Sequence, residues 1–294
     1  MDGFLNIYKE KGPSSYDVIR KLKKIFKTTR IGHAGNLDPL GEGVLVVGLR
    51  KGTRFLEYIM DENKEYLVRV KFGILTDTLD KEGRVLDEKP VPKLEKDTIL
   101  DILKKFEGEI EQVPPSFSAI KIDGKRLYEY AREGVYIVPK PRKVKIYKIE
   151  LKDVFEDGMV IRVECSSGTY MRALARDIGE AVGTYGMVEE LTRIRVNGFH
   201  INNAIRLSDE DLIKKSVISI QDGLPFKSEV IISSGGISYF MNGNRVPRRF
   251  IMKTTPDVRA FNFVKVFDAE KNFLGVGFLT WEGVEPKKVY IPSE

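Results

Sequence analysis

Apolar positions along the chain follow two rhythms. Val18, Leu22, Ile25 and Phe26 recur at helical spacing, leaving Arg20, Lys23, Lys24 and Lys27 mainly on the opposite side. Ser14-Ser15-Tyr16-Asp17 reads as the capping box that opens this helix. A continuous apolar run at Val44–Gly48 reads as a buried strand. Lys64–Phe72 alternates, with Tyr66, Val68, Val70 and Phe72 on one face and Arg69 and Lys71 on the other. Leu94–Phe106 predicts a helix, as does the apolar face Met171, Leu174, Ala175, Ile178 and Val182. Between them, Val144–Phe155 and Met159–Cys165 read as a strand pair turned at Asp157-Gly158. Met187–Val196 reads as a further strand and Ser208–Lys215 as a short capped helix.

Two stretches break these rhythms. Pro114–Pro141 contains four prolines and reads as an irregular excursion with a short helix near Leu127–Arg132. After about Pro225 the chain becomes a series of short β-like runs, Val230–Ile232, Phe263–Phe267 and Phe273–Thr280, with a hairpin turn at Asp268–Asn272. The expected organisation is a larger domain over residues 1–228 and a smaller one over 229–294. Strands and helices mix without a regular βαβ order, which favours α+β over a doubly wound sheet.

Composition narrows the chemistry. One cysteine, Cys165, and two histidines, His33 and His200, exclude an internal disulfide and a zinc site built from several Cys and His ligands. No apolar run approaches the ~20 residues of a membrane span, the N-terminus lacks a signal-peptide layout, and a lone cysteine fits a reducing cytoplasm. Lysine and glutamate are abundant and glutamine appears only at Gln112 and Gln221, a composition that points toward a thermophile. The net charge is +6 and unevenly placed. Pro114–Lys148 holds nine cations against three carboxylates, an excess equal to that of the whole chain, interleaved with Tyr128, Tyr130, Tyr136 and Tyr147. Arg20–Arg30 and Arg245–Lys253 form further basic clusters. Such clusters suit a phosphate backbone, and aromatic rings suit unpaired bases; a solvated surface face is the plainer alternative.

The segment richest in chemistry is GHAGNLDPLGEGVL, Gly32–Leu45. Its glycines permit tight turns, and proline after Asp38 pushes that residue out of the helical region into a turn. An aspartate held there before a hydrophobic strand is a candidate nucleophile, or else an Asx-turn residue. The loop carries neither a Gly-Lys-Ser/Thr ending nor a GxGxxG fingerprint, which counts against a nucleotide cradle.

This loop resembles the catalytic loop of the TruB family of tRNA pseudouridine synthases, with its Gly-x-Leu-Asp-Pro core. The resemblance extends through NIYKEKGPSS (Asn6–Ser15), KEYLVRV (Lys64–Val70), TDTLDKEG (Thr76–Gly83), IEQVPPSFSAIKIDGKRLYEYAREG (Ile110–Gly134), CSSGTYMRALARDIG (Cys165–Gly179) and LTRIRVNGF (Leu191–Phe199). MNGNRVPRR (Met241–Arg249) and FLGVGFL (Phe273–Leu279) resemble a PUA domain, a small RNA-binding pseudo-barrel. The sequence departs from the family pattern at Glu10, where proline follows the lysine, at Asn36, where threonine is common, and at Gly41-Glu42, where Ala-Thr or Ala-Cys is common.

The resemblance implies an α+β catalytic domain of pseudouridine synthase type, with a mixed, largely antiparallel sheet and an RNA-gripping insertion at about 110–145, plus the PUA pseudo-barrel. It implies an isomerase that flips the T-loop uridine of tRNA and converts it to pseudouridine, with Asp38 essential. Tyr66 is implied to face the flipped uracil, although its strand pattern alone reads as core. Arg172 is implied to pair with Asp38, although helical spacing alone reads as a surface arginine. Leu191 is an apolar wall and Tyr170 a substrate contact. His33 stacks where the uridine has left, Lys9 buttresses the loop, and Asp77 and Asp80 shape RNA contacts. Lys121, Lys125, Arg126 and Arg132 grip the RNA. His200 is structural. No cofactor and no metal are implied, and the expected partner is the tRNA T-arm, bound by a cytoplasmic monomer without a protein partner. Two alternatives stay open: a guide-RNA-dependent pseudouridylase, and an RNA-binding or tRNA-folding protein with secondary catalysis.

Overall fold

A computed structural model of the chain describes residues 1–135, 137–256 and 258–292; Tyr136 lies outside the described residues. The architecture is α+β, and its largest unit is a ten-stranded, mostly antiparallel sheet. Across that sheet run Ile205–Arg206, Gly3–Lys9, Glu42–Leu49, Gly186–Val196, Lys64–Phe72, Gly158–Cys165, Arg142–Phe155 and Gly108–Gln112. Two short strands, Ile31–His33 and Phe199–His200, pair off this path with Glu42–Leu49 and Gly186–Val196. Parallel pairing occurs where Gly186–Val196 meets Glu42–Leu49 and where Gly3–Lys9 meets Ile205–Arg206.

Alternation decides which face of Lys64–Phe72 is buried. Tyr66, Val68, Val70 and Phe72 join a core with Leu174 and Ile178 from the helix Met171–Val182 and Ile99, Ile102 and Leu103 from the helix Lys96–Lys104. On the opposite face Glu65 pairs with Arg162 and Arg195, and Arg195 also with Glu164. A second core lies under the helix Ser15–Ile25, whose Val18, Ile19 and Leu22 pack on Leu5, Ile7, Leu45 and Val47. Ser14 caps that helix in a full capping box with Asp17.

The irregular excursion contains the helix Leu127–Arg132 and a two-residue hairpin, Lys121–Ile122 with Lys125–Arg126, turned through left-handed Asp123 and Gly124. Beyond it, Glu229–Val289 builds a separate six-stranded sheet with its own core of Val230, Ile232, Phe240, Val264, Val266 and Val284. This sheet is seated on the segment Arg50–Met60. Phe55 meets Phe273 and Tyr290, and Tyr58 meets Phe226 and Phe263, at ring-centroid distances of 5.2–6.3 Å. Among the described residues no helix is long and apolar enough to cross a membrane.

Candidate active site

The catalytic-type loop leaves the strand Ile31–His33 and re-enters the sheet at Glu42–Leu49. The Asp38 carbonyl accepts from the Gly41 amide at 2.9 Å, closing a turn that presents the Asp38 carboxylate half-exposed. Gly43, at φ 103°, has no room for a side chain: a Cβ there would lie 2.3 Å from the Arg193 carbonyl oxygen. The neighbouring helix supports the loop from one side. Ser15 Oγ donates to the Leu37 carbonyl and accepts from the Leu37 amide, both at 2.9 Å.

Arg172 provides the anion's partner. Its Nη2 lies 2.9 Å from Asp38 Oδ2. It is buried at the first turn of Met171–Val182, and it reaches past Asp38 as well. Nη1 donates to the Thr78 carbonyl at 2.8 Å and lies 3.6 Å from Asp80 Oδ2; Nη2 donates to the Phe117 carbonyl at 2.9 Å. One guanidinium thus joins the catalytic-type loop, the acidic loop and the root of the insertion, a use of its rigid fork that a lysine could not reproduce. The helix start is fixed by Gln112, whose amide group donates to the Tyr170 carbonyl at 3.1 Å and accepts from the Tyr170 amide at 2.8 Å.

Asp80 is turned inward, where the reading of the acidic loop expects an RNA contact. It is 6% exposed, accepts from Thr78 Oγ1 at 2.7 Å and from the Glu82 amide at 3.1 Å, and is raised above the usual carboxylate range mainly by burial. The reason is local: Arg172 is buried, and a second carboxylate satisfies its far edge. Asp77 also serves its own turn, accepting from the Arg84 amide at 2.9 Å.

The floor of the site is cationic. Lys9 is fully buried, and its ammonium donates to the carbonyls of Gly41 at 2.5 Å, Glu10 at 3.0 Å and Pro39 at 3.3 Å. Burial lowers it to about 8, against the opposing pull of Asp38. Tyr66 is buried among Leu37, Leu40 and Leu191, and burial raises its phenol. Leu191 closes the same apolar wall. His33 is half-buried, opposite Val47 in its strand pair, and burial lowers it. Tyr170 is raised by burial, with Arg142 the first opposing influence.

The insertion cations lie apart from this floor. Lys121, Arg126 and Arg132 are exposed, Arg126 and Arg132 flanking the Tyr128 ring at 5.8 and 5.4 Å. Lys125 is half-buried, paired with Glu133 and set over Tyr130 at 4.6 Å. His200 Nδ1 accepts from the Asn202 amide at 3.2 Å, a turn contact.

Two floor residues escape a reading of local pattern. Lys64 is buried and lowered to about 8 mainly by burial, and it donates to the carbonyls of Met60 at 2.7 Å and Glu62 at 3.0 Å. Arg193 is 1% exposed beneath the loop. The two-residue strand period did carry a signal for it, because it places Arg193 on the same face as Leu191.

An aspartate on a braced loop, an arginine at its carboxylate and a tyrosine in an apolar wall, on a mixed sheet, define the pseudouridine synthase class. The family described as TruB family pseudouridylate synthase (N terminal domain) matches residues 23–171. The tRNA pseudouridine synthase B of Clostridium tetani is 36% identical over 293 residues, covering 99% of this chain and 100% of the relative. That of Clostridium acetobutylicum is 37% identical over 285 residues, covering 96% and 97%. Among solved structures, a Cbf5-Nop10-Gar1 complex superposes with a TM-score of 0.76 at 25% identity, covering 99% of this chain and 85% of that one. An H/ACA RNP bound to a substrate RNA containing 2′-deoxyuridine shares the fold, with a TM-score of 0.75 at 23% identity and the same coverage. The chain belongs to the TruB family.

Proposed function

We propose that this chain isomerises uridine to pseudouridine in tRNA, with the T-loop uridine at position 55 as its target. The reaction breaks the N-glycosidic bond, turns the uracil and rejoins it through carbon 5, so no group is gained or lost. The observation that carries the reading is the Asp38–Arg172 pair at 2.9 Å, with the carboxylate half-exposed and the guanidinium buried. A carboxylate anchored on one side and open on the other meets the common requirement of three routes: attack on the ribose, attack on the base, or removal of a sugar proton.

The target base leaves its stack to reach the site, at a cost of a few kcal/mol. Tyr66 and Leu191 form the pocket that receives it, and the Tyr66 hydroxyl handles the carbon 5 proton. The His33 ring, lowered mainly by burial, fills the space left in the RNA; stacking of this kind contributes ~1–3 kcal/mol per base. Tyr170 lines the entrance from the start of the Arg172 helix. Lys9 holds the loop's path. Lys121, Arg126 and Arg132 supply phosphate contacts from the insertion, and Lys125 contributes less because Glu133 already pairs with it. Residues 229–294 act as a PUA-type RNA-binding domain beside a catalytic domain of 1–228. The enzyme acts on tRNA in the cytoplasm as a monomer.

Incubation of the purified chain with an unmodified T-arm hairpin, followed by nucleoside analysis, tests this reading. Pseudouridine at the T-loop position without added RNA or protein supports it. Binding without product contradicts it, and product only when a guide RNA is added selects a guide-dependent enzyme instead.

A further inference from the structure

We infer that Arg193 is a positioning residue for the reaction, fixing the path of the loop that carries Asp38 through hydrogen bonds to two of its carbonyls and to one on the strand that follows it. The inference rests on the assignment of Asp38 given above. Arg193 Nε donates to the Val44 carbonyl at 2.7 Å, Nη1 to that of Asn36 at 2.9 Å and Nη2 to that of Gly35 at 3.3 Å. Gly35 and Asn36 lie directly ahead of Leu37-Asp38, and Val44 lies just past the turn, so one rigid group spans both arms of the loop. Among the described residues no carboxylate lies within 4.0 Å of it. A buried guanidinium without an anion is costly unless its donors are satisfied, and here backbone carbonyls satisfy them. The backbone of Arg193 joins the same contact, since its carbonyl occupies the space a Gly43 side chain would need. Across the strands Arg193 is the register partner of Tyr66, and its charge partly offsets the burial that raises that phenol. The residue therefore ties the positions of Asp38 and Tyr66 to one another. Lysine keeps the charge but offers a single flexible centre in place of a planar fork.

Arg193→Lys and Arg193→Met are compared with the unaltered chain by thermal melting, RNA affinity, single-turnover rate and amide exchange. Arg193→Lys is expected to melt as a folded protein and bind a T-arm hairpin within about threefold of normal. Its saturated single-turnover rate is expected to fall about 100-fold, and exchange to accelerate at residues 34–44 but not in the helix Met171–Val182. A rate within threefold of normal in Arg193→Lys overturns the inference. So does a loss of affinity in proportion to the loss of rate, which marks a general structural role. If the unaltered chain forms no pseudouridine, the functional reading fails, while the exchange pattern still tests the hold on the loop.

A separate observation concerns the helix Ser15–Ile25, and from it we propose that the RNA footprint extends along this helix. Tyr16, Arg20 and Lys24 follow one another at intervals of four residues, Lys27 lies just past the helix end, and all are exposed; Arg20 is paired with Asp17 at 2.6 Å. Among the described residues Lys21, Lys24, Lys27 and Arg30 have no carboxylate within 4.0 Å, whereas the sheet cations Arg69, Lys71, Arg162 and Arg195 are all paired. Within the helix, Lys24 lies one turn from both Arg20 and Lys21, and like charges at that spacing repel, so stability alone does not favour the cluster. The Ser15–Leu37 bonds start it at the catalytic loop, and it runs ~16 Å along the helix. A polyanion leading away from the target base fits it. The triple variant K21E/K24E/K27E is expected to weaken binding of an intact tRNA transcript about tenfold or more at low salt. The slope of log affinity against log salt should fall by about 2. A hairpin cut to the loop and three base pairs should bind normally, with an unchanged saturated rate. Unaltered affinity for intact tRNA, or equal weakening for both RNAs, overturns the proposal.

Discussion

Cations beneath the Asp38 loop and cations in the insertion share their sign and differ in burial and in what they touch. Lys9, Arg172 and Arg193 are buried, and each makes two or three hydrogen bonds to backbone carbonyls. Lys121, Arg126 and Arg132 are exposed, and Arg126 and Arg132 lie against the Tyr128 ring. A buried cation with a rigid set of acceptors fixes geometry, while an exposed one supplies field and counterion release. The buried group should therefore govern rate and the exposed group affinity.

Removal of the arginine at the site should give the largest effect. Arg172→Met leaves Asp38 without its partner and Asp80 buried without a cation. Single-turnover rate should fall by about 10²–10³-fold or more, with RNA affinity within about fivefold of normal. An affinity loss as large as the rate loss would break the division between the two groups.

Lys9→Met comes next. The loop carbonyls of Pro39 and Gly41, and that of Glu10, lose their donor, at about 1–3 kcal/mol for buried groups left unpaired. Chemical denaturation should show a loss of that size, together with a reduced rate. Native stability in this variant would mean that the loop holds itself.

A pH series separates charge from structure. Burial lowers Lys9 and Lys64 from 10.5 to about 8, so above pH 8 the folded chain gives up these protons before the unfolded chain does. The unfolded state then binds more protons, and these two groups raise stability as pH climbs from about 8 to 10. The same deprotonation strips charge from the floor of the site, so rate should decline over that interval while their contribution to stability rises. Parallel melting curves and single-turnover rates from pH 7 to 10 check the divergence, and Lys9→Arg should keep a larger share of its rate at pH 9.

The smallest effect on rate belongs to the insertion. Neutralising Lys121, Arg126 and Arg132 should reduce the salt slope of binding by up to about 2–3, with the saturated rate within twofold of normal. Adding Lys125→Gln should change the slope little further, because Glu133 already neutralises that lysine.

Much of this was legible in the sequence, in proportion to how locally each feature is encoded. The capping box at Ser14 and the alternation over Lys64–Phe72 depend on neighbours a few residues away, and both elements form there. The strand Gly3–Lys9 gave no rhythm because it is buried along nearly its whole length. Gly283–Val289 contains Pro286 and two lysines, which argue against a strand. It is tolerated near the sheet's margin, beside the two-residue strand Val246–Pro247 and a register shift at Val276 and Gly277. The helix Ser234–Met241 carries Gly235 and Gly236, and Phe250 and Val246 fill the space that side chains would occupy.

The site divides along the same line. Asp38 stands out because glycines and a proline concentrate around it. Arg172 on helical spacing alone reads as a surface residue, since its burial comes from Asp38, Thr78, Asp80 and Phe117, all more than fifty residues away. Asp80, which the resemblance assigns to RNA contacts, turns inward for a reason equally remote in sequence, because it answers a guanidinium from a distant helix.

The central claim is that one anchored carboxylate performs the reaction while separate groups hold the RNA. Asp38→Asn tests it most directly, because amide and carboxylate are nearly isosteric and the loop's carbonyl contacts to Lys9 and Arg193 remain. Tritium release from carbon 5 of the target uridine, read in a single turnover beside the dissociation constant for the same T-arm RNA, is the measurement. The account predicts no release above background, with a dissociation constant within about threefold of the unaltered chain. Release at a tenth of the normal rate or faster would contradict it.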